Sequence, residues 1–228
     1  MRRDQLEHAI RTACQIIGRR EVIVVGSQSI LGTFREDQLP NEATMSAEID
    51  ILPIADDNDE TARLADLIEG VADEFSPFEE LHGFGIDGVD LQTSALPAGW
   101  GKRLVKVQNA NTAAPGGEPQ YTGWCLDKED LCVAKLCAFR EKDQNFVAAL
   151  LRSALVRPRD HPHPADHRRR ALPWSIRAGW FLATVTGNRQ LMSLPSAGRE
   201  VQHQDQNKDQ RPQISPDRAR RPRTLESL

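Results

Sequence analysis

Apolar residues recur at helical spacing from Leu6 through Ala9, Ile10, Ala13, Ile16 and Ile17, with charged and amide side chains between them. Gly18 stands where such a helix would end. Glu21 to Val25 follows as a nearly continuous apolar strand, expected to be buried on both faces. It halts at Gly26-Ser27, and Ser27 to Thr33 is expected to form a short helix. Phe34 to Met45 has no period and reads as a mobile loop. From Glu48 to Ile54 the chain resumes as a strand, in which period-two alternation sends Glu48 and Asp50 to one face and Ile49 and Ile51 to the other.

Asp56 to Asp59 should cap a helix marked by Leu64, Leu67, Ile68, Val71 and Ala72 and running to about Phe75. Gly83 to Leu91 reads as a hairpin turning at Asp87-Gly88, with Asp90 on its second strand. Leu104 to Val107 is another short strand, and Ala110 to Gln120 a surface loop. Helical spacing returns from Asp127 to Phe139 and again from Asp143 to Leu155. The expected class is therefore α+β, a mixed sheet flanked by helices, occupying residues 1–155.

Charge divides the chain in the same place. Residues 1–153 carry 15 Lys/Arg against 26 Asp/Glu, whereas residues 154–228 carry 14 against 7. Residues 156–228 are thus expected to be an Arg/Pro-rich tail, largely disordered or poorly packed, with apolar density only in Ala171 to Leu194. Back-translated and read one base later, Asp160 to Arg170 has a more ordinary globular composition, which makes a frameshift one suggested origin of the tail, the alternative being a natural Arg/Pro-rich tail. Restoring the frame in the gene should yield amphipathic helices, and failure to do so would sink that idea. Arg2-Arg3 leads into a charged amphipathic stretch, not an apolar run, so no export signal and no membrane span are expected. The four cysteines lack CxxC spacing and read as reduced thiols of a cytoplasmic protein.

Gly26-Ser27 at the end of a buried strand could present backbone N–H groups and a hydroxyl to phosphate oxygens. Glu48 and Asp50 could hold Mg²⁺, which takes oxygen ligands and shares them with substrate phosphates. Asp90 would be a further carboxylate, and Lys135, inside the apolar surface of Leu131, Val133, Ala134 and Leu136, could reach the phosphates. Together these are the parts of nucleotidyl transfer, in which positioning and charge neutralisation supply most of the rate. Taken singly, each has a plainer reading: a turn, a solvent-facing edge, a snorkelling lysine.

Gly26-Ser27, then Ser46-Ala47-Glu48-Ile49-Asp50, then Asp130 to Leu136 and Arg140-Glu141-Lys142-Asp143, resemble the AbiEii-type and DUF6036-type nucleotidyltransferase-like families, which include the MenT toxins of toxin–antitoxin pairs. The resemblance covers about residues 1–155. It implies a polymerase-β-like nucleotidyltransferase fold, an NTP substrate and Mg²⁺, with Gly26 and Ser27 on the nucleotide phosphates. It further implies Glu48 and Asp50 as the catalytic acids, Lys135 as a phosphate-contacting lysine and Asp143 as the distal acid. Ser46 falls where some of these toxins are silenced by phosphorylation, which here would set negative charge two residues from Glu48. The tRNA 3′ end as acceptor and a cognate antitoxin as partner also come from the resemblance alone. Glu48 stands where the family has Asp, and the spacer from Ser27 to Glu48 is long. Two other readings stand beside this one: transfer to a small molecule or protein hydroxyl, and a non-catalytic fold that only binds a partner.

Overall fold

Arg3–Ile17 forms α1, whose buried stripe of Leu6, Ala9, Ile10, Ala13, Cys14 and Ile17 lies against the sheet, and Gly18 ends it at φ 65°. The structure is a computed structural model describing residues 1–93 and 95–157. Of the tail expected from residue 156, Val156 is buried against the core, and residues 158–228, Ala171–Leu194 included, lie outside the described residues. Among the described residues five strands follow: β1 (Glu21–Val24), β2 (Glu48–Pro53), β3 (Gly85–Gly88), β4 (Val105–Val107) and β5 (Thr122–Cys125). The sheet order is β3-β2-β1-β5-β4, parallel between β1 and β5 and between β2 and β3, antiparallel elsewhere. The helices after α1 are the single turn α2 (Asn41–Thr44), α3 (Asn58–Ala72), α4 (Pro77–His82), α5 (Lys128–Ala138) and α6 (Glu141–Arg152). The fold is α+β, a mixed sheet flanked by helices.

Two glycines show which face of the sheet is covered. A Cβ at Gly123 would run into the Ile10 side chain of α1, and one at Gly88 would overlap the Ala65 backbone of α3. Gly123 pairs with Val22, and Gly88 pairs with Ile51, which in turn pairs with Val24. The register therefore puts both helices on the face that carries Val22, Val24, Ile49, Ile51 and Ile86, all 0% exposed. Burying each of these side chains stabilises the fold by about 1.5–3 kcal/mol. Glu48, Asp50 and Asp87 share the opposite face.

Several sequence expectations change. β1 is covered fully on one side only, because Ile23 is half-buried. The expected loop from Phe34 to Met45 holds a short 3₁₀ helix at Glu36–Gln38 and then α2. α3 stops at Ala72, short of Phe75, and is followed by α4, which Ser76 caps and Pro77 opens. The expected hairpin does not form: Asp87-Gly88 continues a single strand that pairs with β2. The fifth strand lies at Thr122–Cys125 instead, beside the central β1. The last helix begins at Glu141 and ends at Arg152. Among the described residues no helix is long and apolar enough to cross a membrane, and Cys14, Cys125, Cys132 and Cys137 are free thiols.

Candidate functional site

The end of β1 and the start of β2 meet because Val25 N–H donates to the Asp50 carbonyl at 3.0 Å. The chain then turns at Gly26, whose φ of 55° and ψ of −171° fall where side chains are not tolerated. A Cβ there would sit inside the Asp50 carboxylate and 3.0 Å from Asp50 Cβ. Gly26 is thus required twice, by its own backbone and by the acid pressed against it. Ser27 opens a 3₁₀ helix (Ser27–Gly32), and both residues are half-buried. Gln28, fully buried, donates to the Ser46 carbonyl at 3.2 Å and so ties this turn to the residues entering β2.

Asp50 has a neighbour the sequence reading missed. Parallel pairing sets Asp87 of β3 directly beside it, and Glu48 lies one rung away opposite Gly85. Burial, reinforced by the charge of Glu48 and opposed by that of Lys135, pushes the Asp50 carboxyl above its ordinary range. Burial first, then the charges of Asp50, Glu69 and Asp73, push Asp87 up to about 7. Two carboxylates held this close repel each other unless a proton or a cation lies between them.

Asp90 does not join this row. It lies in the turn beyond β3, where its Oδ1 accepts N–H groups from Gln92 (2.8 Å) and Thr93 (3.1 Å) and its Oδ2 faces Asn58 at 3.5 Å. The reason is the lost hairpin: with no second strand, Asp90 closes a turn and Asp87 takes the position beside Asp50.

The countercharge comes from α5 and α6. Lys135 is 8% exposed, with Nζ 3.1 Å from Asp143 Oδ1 and 5.3 Å from the centre of the Phe146 ring. Asp143, 1% exposed, also receives Arg140 Nε at 2.7 Å. Burial opposes ionisation of Asp143, but the Arg140 hydrogen bond and Lys135 outweigh it and hold its carboxyl below the ordinary range. Lys135, Lys142 and Arg140 all act electrostatically on Asp50, so the acidic row faces a cationic wall. Asp143 is the internal partner of that wall. Ser46 is half-buried two residues before β2, and its Oγ accepts from the Glu48 N–H at 3.3 Å.

Among the described residues no group of three or more His, Cys, Asp or Glu side chains could hold a metal ion by itself. Glu48, Asp50 and Asp90 therefore do not form a three-carboxylate cage. Mg²⁺ does not require one, since it is commonly bound through one or two carboxylates, with water and substrate phosphates supplying the rest. Asp50 with Asp87 or Glu48 fits that donor set, and the repulsion between Asp50 and Asp87 is what a cation would relieve.

Residues 4–156 match the family described as "Nucleotidyltransferase of unknown function (DUF6036)". No curated protein and no solved structure matches the chain.

Proposed function

The chain belongs to the DUF6036 family of nucleotidyltransferases, and from that premise we propose that it moves a nucleoside monophosphate from an NTP to an acceptor hydroxyl. The observation that carries this reading is the contact of Gly26 with Asp50. It puts a bare backbone turn, of the kind that admits phosphate oxygens, against a carboxylate row that faces Lys135 and Arg140. Gly26 and Ser27 would receive the triphosphate, while Lys135 and Arg140 offset its charge. Asp50, with Asp87 or Glu48, would hold Mg²⁺. A Mg²⁺ held by these carboxylates would supply neutralisation of the triphosphate charge. The acceptor oxygen attacks the α-phosphorus in line, the bond to the β-phosphate oxygen breaks, and pyrophosphate leaves.

From the motif resemblance alone we further propose the tRNA 3′ end as acceptor, and a cytoplasmic toxin held in check by a cognate antitoxin. Ser46 is the proposed point of silencing by phosphorylation. To test the reading, the full chain is incubated with Mg²⁺, each labelled NTP and total tRNA. Label is expected in tRNA, and Asp50→Ala should lose it. Label in protein or a small molecule would move the acceptor. No transfer to any acceptor, with no rise in melting temperature on adding NTP, would overturn the reading.

A further inference from the structure

We propose that the outward side of α3 and the turn after it form a docking surface for a partner protein, which presents a segment combining apolar side chains with Lys or Arg. The inference is independent of the proposed reaction.

Leu67 and Val71 lie one turn apart on α3 and are 45% and 51% exposed. Four residues further, past the helix end, Phe75 is 90% exposed, and Leu81 on α4 is 77% exposed. Isolated exposed apolar residues are ordinary, but four large ones within fifteen positions call for an explanation. Phe75 is also held out at a backbone cost. Its φ is 64°, a conformation unusual for a bulky residue. Its N–H is fixed by Glu79 Oε2 at 2.7 Å, and Ser76 Oγ accepts from the Glu79 N–H at 3.1 Å. The turn thus fastens Phe75 in the exposed position.

Charge decides what kind of occupant suits the surface. Residues 64–101 contain no Lys or Arg, and Asp66, Glu69, Asp73, Glu74, Glu79 and Glu80 each stand within two sequence positions of one of the four apolar residues. A second copy of the chain would set these acids against their own duplicates, and like charges meeting across an interface repel. A cationic partner gains from the same field, and its apolar residues would cover Leu67, Val71 and Phe75. The charge of Glu69 also acts on Asp87, so a partner gripping Glu69 would reach the edge of the acidic row.

The test uses the full chain and a synthetic amphipathic helical peptide of Leu, Lys and Arg, compared with one in which Glu replaces the cations. Anisotropy should show binding of the cationic peptide only. The double change Val71→Ser and Phe75→Ser should weaken that binding about tenfold without lowering the melting temperature, since both side chains are exposed. Glu74→Lys with Glu80→Lys should weaken it independently. Equal binding to the wild type and the serine variant would mean mere attraction to an acidic protein, and would overturn the proposal. So would a concentration-dependent dimer lost in that variant. A photoreactive benzoyl-phenylalanine at position 75 that cross-links to residues 158–228 of its own chain would overturn it as well.

Discussion

The two faces of β2 differ sharply. Ile49 and Ile51 are 0% exposed beneath α1 and α3. On the other face, with Glu48, Asp50 is pressed against Gly26, pairs with Asp87 and lies in the field of Lys135 and Lys142. Packing on one side holds the strand so firmly that the other can carry carboxylates which repel one another. Stability and chemistry are thus divided between odd and even positions of a single strand, and substitutions on the two faces should separate them.

The strongest break comes where the two roles meet. Gly26→Ala should cost roughly 1–3 kcal/mol for the backbone conformation, with a further 1–3 kcal/mol or so from overpacking against Asp50. It should also displace the Asp50 carboxylate and abolish transfer, as melting curves and turnover assays would show. A variant of normal stability and activity would remove the central contact from the argument.

Next in size are the paired changes along the strand. Asp50→Asn should lower turnover by roughly 10³-fold, the scale for losing one charge-stabilising group, and leave the melting temperature near or above that of the parent. Ile51→Ala should do the reverse, costing about 2–5 kcal/mol while turnover per folded molecule stays within twofold or so. If both variants lose stability and activity in parallel, the division of labour is wrong.

The smallest effect sharpens the comparison through pH. The folded Asp87 carboxyl titrates near 7, above its ordinary 3.8. Its protonated form is therefore favoured in the folded state. The stability it contributes is complete below the unfolded value and is lost as pH rises through about 7. Asp87→Asn should accordingly stabilise the metal-free protein by about 1–2 kcal/mol above pH 7, the figure being discounted for solvent screening of a half-exposed group. The gain should fade toward pH 4. Denaturant midpoints across that range read the difference, and a gain largest in acid would contradict the sign.

Much of this arrangement was legible because it rests on local signals. The alternation Glu48-Ile49-Asp50-Ile51 separates the two faces without tertiary information, and Gly18 and Asp57 mark helix ends by backbone chemistry. The errors fell where distant packing dictated a residue. Asp87-Gly88 looks like a tight turn, yet Gly88 is there because the Ala65 backbone leaves no room for a Cβ. Misreading that glycine created a false hairpin, promoted Asp90 and hid Asp87. Gly123 misled in the same way: it weakens the strand signal of β5, and its cause is Ile10, more than a hundred residues earlier. Leu67 and Val71 fit the helical period of α3, but exposure separates them from the buried stripe.

The sheet order also bears on how the chain folds. β1 pairs with β2 across a short span of sequence, but its other partner, β5, meets Glu21 at Thr122, about a hundred residues later. Segments that must close so long a loop join late, because loop-closure entropy is lost before the contact forms. During synthesis, β1 to β3 can assemble first, leaving one edge of β1 unpaired until residues 122–125 emerge. Pulse-labelled hydrogen exchange should then protect the Val25 amide, bonded to β2, before the Leu126 amide, bonded to the Val24 carbonyl. Simultaneous protection would mean that the sheet closes in one step.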